Sequence, residues 1–299
     1  MNDVSRYIAY EDLEFPSLLK HISDAPQGIF VRGELPGDEL VKVAILGARA
    51  CSEYGISAAK MLARDLARSG VIIVSGMARG IDAAAHQAAI EEGGKTIAVL
   101  GCGVDICYPP EHDDLMGQII RNGCVISEYA MGTKPERYYF PARNRIISGL
   151  CKGIIIVEAA EKSGTSVTAN HALDQGREVF AVPGNIFSKL SRGVNDMIKQ
   201  GAIAVTCAND VLYELKSDCW HNTIDEKPIV ENEKIKTLAP NEKLVYDCVA
   251  FGKAEGDGLH IDDVISKCGI SAAEAQYIFV KLELDGLVKR LAGNRMIVY

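Results

Sequence analysis

The sequence predicts an α/β protein with an extended Rossmann-like, mostly parallel sheet, followed by a small C-terminal winged-helix domain. Three observations predict it. From residue 41 to residue 215, short apolar runs alternate with helical patterns across short turns rich in Gly and Ser. Such alternation gives parallel strands covered by helices. A polar stretch at 216–239, with Pro228 and a charge run at 231–236, then breaks the pattern and reads as a linker. The last sixty residues carry three helical patterns and a terminal hairpin.

Residues 1–40 hold scattered aromatic and aliphatic positions with prolines at 16, 26 and 36. They predict a short helix and an extended arm packed on the core domain. That domain is expected at 41–215. Its first strand, 41–46, is a continuous apolar run suited to burial on both faces. A helix over 53–68 carries apolar residues at Ile56, Ala59, Met61, Leu62 and Leu66, and Gly70 follows as a natural stop. Further strands are expected at 71–74, 95–100, 124–127, 153–158, 178–182 and 202–206. The helices between and after them are expected at 82–92, 110–122, 143–151, 165–175, 190–199 and 209–215. In the C-terminal domain, 240–299, helices are expected at 242–251, 261–267 and 271–285, with a hairpin around Ala292-Gly293-Asn294. Ser271 caps the third of these helices and Gly286 ends it.

The 299 residues are 48% hydrophobic, enough for a large core without metals or disulfides. No run of ~18 apolar residues is present, so no membrane span is expected. The first residues do not form a charged-then-apolar leader, which points to the cytoplasm. Nine cysteines without a Cys-x-x-Cys pair read as reduced, mostly buried thiols rather than a zinc site or a disulfide framework. The net charge of −8 argues against a general polyanion binder. Yet 131–205 holds ten Lys and Arg against six Asp and Glu, a local +4 that leaves −12 for the remainder. One basic face on an acidic protein can still take nucleic acid, because salt screens charges beyond ~10 Å.

In a parallel sheet the active surface lies at the C-terminal strand ends, where helix N-termini point outward. Four turns there combine small residues with free backbone N–H groups, which suits phosphate. They are 47–52 (Gly-Ala-Arg-Ala-Cys-Ser), 75–82 (Ser-Gly-Met-Ala-Arg-Gly-Ile-Asp), 101–103 (Gly-Cys-Gly) and 158–166, which contains Lys162-Ser-Gly-Thr165. Any one of them also fits ordinary turn and cap chemistry. Together they bring Arg49, Arg79, Lys162 and Arg143/Arg145 toward one sheet edge. Asp82 and His86, four apart on a helix, fit an acid/base pair or a capping Asp bonded to a packed His. The acidic residues near 105–114 read as the acidic start of a helix rather than a metal site. No complete Gly-x-Gly-x-x-Gly and no Gly-x-x-x-x-Gly-Lys-Ser/Thr occurs, so no nucleotide cofactor and no ATPase are expected.

The stretch 134–150 places Tyr138, Tyr139 and Phe140 between Lys134/Arg137 and Arg143-Asn144-Arg145. Cations that neutralise phosphate beside rings that stack on bases suit a single strand. The same stretch also fits a proline-broken loop entering an amphipathic helix with solvated arginines. Arg143 and Arg145 are two apart, ~200° around a helix, so one is expected to grip phosphate and the other to brace the loop.

In order along the chain, Gly47-Ala-Arg-Ala-Cys-Ser-Glu-Tyr-Gly55, Ser75-Gly-Met-Ala-Arg-Gly-Ile-Asp82, Gly103-Val-Asp-Ile-Cys-Tyr-Pro109, Phe140-Pro-Ala-Arg-Asn-Arg-Ile-Ile-Ser-Gly149, Ser163-Gly-Thr-Ser-Val-Thr-Ala169 and Val182-Pro-Gly-Asn185 closely resemble the DprA (DNA-processing protein A, Smf) family. The resemblance runs from about residue 8 to the C-terminus. It implies a homodimeric, non-catalytic protein that binds incoming single-stranded DNA in natural transformation, protects it and loads the RecA recombinase, displacing single-strand-binding protein. By place in these motifs, it implies that Arg49, Arg79, Arg143 and Arg145 fall in the family's DNA pocket, and Arg137 and Phe140 where a basic residue and a stacking ring are expected. With Ser52, Ser75, Gly76, Gly80, Asn144, Lys162, Ser163, Gly164 and Thr165 from the turns and the basic stretch, they make up the expected strand-contacting set. Two departures stand out: no N-terminal helical (SAM-like) domain, and Ala48 where Ser or Thr is usual.

The third C-terminal helix carries Glu274, Glu283 and Asp285 against Lys281, which fits a protein contact better than a major groove. Lys289, Arg290 and Arg295 on the wing are its basic candidates. Two other classes remain open: a nucleotide phosphoribohydrolase of the lysine-decarboxylase-like family, whose Pro-Gly-Gly-x-Gly-Thr turn is not seen here, and a module that senses mononucleotides without turnover.

Overall fold

The computed structural model describes residues 5–161, 163–215, 238–251, 259–285, 287–291 and 294–298. Residues 216–237 of the linker expected at 216–239, Lys162, Gly286, and Ala292 and Gly293 of the hairpin turn lie outside the described residues. The chain forms two compact units, Met1–Asn222 and Thr223–Tyr299.

The strands of the first unit are β1 (Arg6–Ala9), β2 (Gly28–Gly33), β3 (Lys42–Leu46), β4 (Ile72–Ser75), β5 (Thr96–Val99), β6 (Gly123–Ser127), β7 (Gly153–Ile156), β8 (Glu178–Ala181) and β9 (Ile203–Ala204). Its helices are α1 (Ser17–Lys20), α2 (Glu53–Arg68), α3 (Ile81–Glu91), α4 (Asp113–Arg121), α5 (Tyr139–Gly149), α6 (Gly164–Asp174), α7 (Arg192–Lys199) and α8 (Ala208–Leu215). Among the described residues they build one nine-stranded sheet in the order β1-β2-β6-β5-β4-β3-β7-β8-β9.

β3 to β9 run parallel to one another. β3 to β7 are buried along their whole length, as strands covered on both faces must be. Alternate residues feed opposite cores. Ala44, Leu46, Val74, Ile154 and Ile156 pack with α1, α5, α6 and α7 on one face. Val43, Ile45, Ile73, Ile155 and Val157 pack with α2, α3 and α8 on the other. α2 and α3 meet through Ala58, Ala59, Ala63 and Ala67 facing Ala84, Ala85, Ala88 and Ala89, small side chains that permit close approach. From β3 the chain winds outward through β4, β5 and β6, then returns to lay β7 on the other flank of β3. The strand order reverses between β3 and β7, which makes that junction the switch point of the fold.

The first forty residues do more than lie over the core. β1 and β2 form an antiparallel pair, and β2 joins β6 antiparallel, so they extend the sheet edge. The two-residue alternation is short: Ile29 and Val31 face the core between Gly28 and Gly33. Both glycines are required. A Cβ on Gly28 would sit 2.8 Å from the Ile8 carbonyl, and Gly33 has φ +103° with the Gly123 carbonyl 2.3 Å from its Cβ position.

Cys102, Cys124 and Cys151 are buried free thiols. Burial pushes Cys102 and Cys124 up to about 11 and about 12.

The second unit contains α9 (Pro240–Phe251), β10 (Leu259–His260), α10 (Ile261–Cys268), α11 (Ala272–Leu284), β11 (Val288–Leu291) and β12 (Arg295–Val298). Its strands pair antiparallel in the order β10-β12-β11, which adds β10 to the expected hairpin. Val245, Phe279, Leu282, Leu287 and Met296 form the core. Ser271 caps α11 by accepting from the Glu274 N–H at 3.2 Å. Three helices and a wing on one small core are a winged helix.

Candidate nucleic-acid interface

β3 and β7 lie side by side with Leu46 opposite Ile156. Beyond their ends the chain opens a cleft of about 550 Å³, lined among others by Arg49, Tyr108, Arg137, Phe140, Arg143, Asn144 and the Ser163-Gly164-Thr165 turn. Close backbone packing sets its walls. The Ala48 N–H donates to the Glu158 carbonyl at 2.9 Å. Gly80, at φ +77°, lies against the 48–49 backbone, where a Cβ would come within 2.5 Å of the Ala48 carbonyl. The turns carrying Arg49 and Arg79 therefore abut.

One wall is aromatic and cationic. The Phe140 ring lies 5.2 Å from that of Tyr108. The Arg49 guanidinium stands 5.5 Å from the Phe140 centroid and that of Arg143 5.9 Å. Among the described residues Arg49 and Arg137 are exposed and make no ion pair. The start of α6 also lines the cleft. Ser163 precedes that helix without a side-chain cap bond, and a Cβ on Gly164 would meet nothing within 4 Å. The Ser166 N–H donates to the Ser163 carbonyl at 3.1 Å, which leaves the helix start at Gly164 and Thr165 beside the cleft, where it favours negative charge.

Arg143 serves a different purpose from the one expected. It is buried, and its guanidinium donates to the carbonyls of Gly76, at 2.6 Å, and Val99. Facing it, the buried Asp82 carboxylate accepts from the N–H groups of Gly76 at 3.1 Å and Ala78 at 3.4 Å. Burial raises the Asp82 carboxyl, opposed by the Arg143 charge, while burial lowers Arg143. Together they clamp the 76–78 turn. α5 begins at Tyr139 rather than 143, with Pro141 tolerated in its first turn, so Arg143 lies inside the helix.

Arg145 does not reach the cleft. Its guanidinium pairs with Glu128 at 2.6 Å and Asp24 at 3.0 Å. It ties the N-terminal segment to the end of β6. Neither member of the Arg143/Arg145 pair is thus a free phosphate ligand. Arg79 sits at an adjoining recess beside Gly76 and Phe140, and its exposed guanidinium is paired with Glu111.

Four other expected contacts fall elsewhere. Ser75 is fully buried and donates to the Ile45 carbonyl at 2.7 Å. Ser52 caps α2 and gives its N–H and hydroxyl to the buried Glu158 carboxylate at 2.9 and 2.5 Å. Gly76 and Gly80 are packing glycines, the former beneath Arg143 and the latter against residues 48–49. The remaining expected residue, Lys162, is outside the described set. Asp82 and His86 are not bonded as a pair: His86 Nδ1 meets the Thr96 hydroxyl at 2.7 Å. Burial pushes His86 down to about 3, so it stays neutral near pH 7.

Sequence reasoning missed Tyr108 and Glu158. Tyr108 lies in the 103–109 motif, and an aromatic beside a proline at a strand-end turn was the available signal. Glu158 ends a buried apolar run, and a carboxylate there calls for a helix N-terminus to receive it.

A family model for DNA recombination-mediator protein A matches residues 6–216, and one for the DprA winged helix domain matches residues 237–294. The DNA processing protein DprA of Streptococcus pneumoniae is 45% identical over 202 residues, 68% of this chain and 71% of that protein. Protein Smf of Escherichia coli is 38% identical over 287 residues, 95% of this chain and 75% of its own length. Of solved structures, that of the S. pneumoniae protein matches with TM-score 0.67 at 44% identity, over 70% of this chain and 74% of that one. DNA processing protein A of Helicobacter pylori, whose single-stranded DNA binding mode has been described, matches with TM-score 0.63 at 30% identity, over 72% and 98%. Both the α/β unit and the winged helix carry the pattern of one family, and the chain belongs to the DprA family of DNA recombination-mediator proteins.

Proposed function

We propose that this protein binds single-stranded DNA in the β3/β7 cleft and delivers it to a RecA-type recombinase without altering it chemically. One observation carries the reading: Arg49 and Arg137, free of ion pairs among the described residues, line one cleft with Phe140 and the start of α6. Cations and backbone N–H groups take the phosphates, and the aromatic wall takes a base. The commitment of Asp82 and His86 to internal bonds supports binding rather than turnover.

Family membership supports the finer reading. The protein acts as a cytoplasmic homodimer in natural transformation, protects the incoming strand and displaces single-strand-binding protein as RecA is loaded. Fluorescence anisotropy with single-stranded, duplex and mononucleotide ligands tests the first step. Single-strand preference with a steep salt dependence is expected, and equal affinity for duplex would refute it. RecA filament growth on strands coated with single-strand-binding protein tests the second.

A cleft of about 550 Å³ is also the size of a small-ligand pocket, which favours mononucleotide sensing as the second reading. Calorimetry separates the two. A mononucleotide that matches the oligonucleotide affinity selects the sensor.

A further inference from the structure

We propose that the loop after β8, residues 183–191, together with Arg192 continues the DNA track beyond the cleft, with Phe187 as a second stacking platform. The inference rests on the cleft being a single-strand site. Ile186 is 74% exposed and Phe187 86%, an apolar pair at the tip of a short loop. Their exposure is not slackness in the loop. Asn195 closes its base by accepting from the Gly184 N–H at 3.1 Å and donating to the Gly184 carbonyl at 3.0 Å. The Asn185 side chain accepts from the Phe187 N–H at 2.9 Å, and the Ser188 N–H donates to the Asn185 carbonyl at 2.9 Å. Gly184 packs so tightly that a Cβ there would lie 2.3 Å from the Ser191 hydroxyl. The tip is built and held with a ring pointing to solvent.

The loop adjoins the cleft. The Ala159 N–H donates to the Leu190 carbonyl at 2.8 Å, and the Gly193 N–H to the Ala159 carbonyl at 2.9 Å. Ala159 and Ser163 of the cleft wall are only four positions apart, a span of at most ~14 Å. Both features lie at the C-terminal ends of neighbouring parallel strands, β7 and β8.

The charge fits a polyanion. Between Glu178 and Asp196 the sequence has no carboxylate, while Lys189 and Arg192 are both exposed. Glu161, on the connecting segment, lines a different cleft between α6 and α7. A protein partner would suit Ile186 and Phe187 equally. Two cations that make no ion pair among the described residues, one segment away from a cationic, aromatic cleft, favour a strand continuing outward. A sequence-independent track combines such cations with rings on which any base can stack.

The test compares the full chain and its variants by anisotropy on an oligo-dT of about 4 nucleotides, short enough for the cleft, and one of about 20. Phe187→Ala is expected to weaken the long ligand about tenfold and leave the short one unchanged. Lys189→Ala with Arg192→Ala is expected to reduce the salt slope for the long ligand by about 1.4, the value for two single-strand phosphates. Arg49→Ala is the control and should weaken both lengths. If Arg49→Ala weakens both while Phe187→Ala weakens neither, the extension is wrong and the cleft stands. If Arg49→Ala weakens neither, the cleft assignment fails and the extension with it. Equal loss at both lengths in Phe187→Ala, or a fall in its sedimentation mass, overturns the proposal by placing Phe187 in the cleft or in a protein contact.

Discussion

The guanidinium of Arg143 rests on the backbone of Gly76 so closely that a Cβ there would lie 2.2 Å from Nη2. The same arginine holds the Gly76 and Val99 carbonyls, and Asp82 holds the Gly76 N–H from the other side. Gly76→Ala should therefore expel a pinned, buried cation rather than nudge a free one, costing about 1–3 kcal/mol. Arg143→Ala should cost about 3–5 kcal/mol, because it leaves the buried Asp82 without its counter-charge. Urea unfolding measures both. Any loss of DNA binding in these variants should track the fall in the unfolding midpoint. An Arg143→Ala protein of wild-type stability that binds poorly would make Arg143 a direct ligand instead.

Arg49 and Phe140 should behave in the opposite way. Arg49 is exposed, so Arg49→Ala should leave the unfolding midpoint in place. Loss of one charge-assisted phosphate contact should weaken single-strand affinity by about 1.5–3 kcal/mol and lower the salt slope by about 0.7. Phe140→Ala should cost about 1–3 kcal/mol with little change of slope, since stacking is not ionic. Salt titrations of the two variants give the comparison, and a matching slope change in both would contradict the assigned roles.

Arg79 is already occupied. Its exposed guanidinium pairs with Glu111 at the lip of the recess beside Gly76, and that bond raises Arg79 and lowers Glu111. A phosphate must displace the carboxylate. Glu111→Gln should tighten single-strand binding and steepen the salt slope by about 0.7, as one more cation becomes available. Thermal stability should hardly move, because exposed ion pairs contribute little. Arg79→Ala placed on Glu111→Gln should abolish the gain. A Glu111→Gln protein with unchanged affinity would remove Arg79 from the strand path.

The sheet was legible because strands buried on both faces are continuous apolar runs and glycine ends the helices between them. β1 and β2 were not, since an alternation as short as Ile29–Val31 carries little signal in four to six residues. The cleft was legible as a collection of turns, and residues of the 47–49, 137–144 and 163–165 segments line it. What the sequence hid was the allocation of each polar group. Arg49 and Arg143 are the same residue type in similar motifs, yet one faces solvent and the other three backbone and carboxylate groups. Arg145 is claimed by Asp24, 121 positions away in the chain, and Ser52 by Glu158, 106 positions away. Such long-range partners leave no local pattern.

His86 makes the pH dependence testable. Buried and bonded to Thr96, it is pushed from the ordinary 6.5 down to about 3. A histidine depressed in the folded state binds protons more readily when unfolded. Its stabilising effect is complete above pH ~6.5 and is lost as the pH falls from there toward ~3. At 1.36 kcal/mol per pH unit, the fall from ~6.5 to 5 removes about 2 kcal/mol. Asp82 acts in the opposite sense, because its raised carboxyl favours the folded state as the pH drops. The comparison must therefore be made against a variant that keeps Asp82. His86→Gln retains a polar group toward Thr96 and has no proton to gain. It should be less stable than the wild type at pH 7, and the gap should shrink by about 2 kcal/mol at pH 5. Urea midpoints at the two pH values give the answer, and a gap that stays constant would mean that His86 titrates normally in the folded protein.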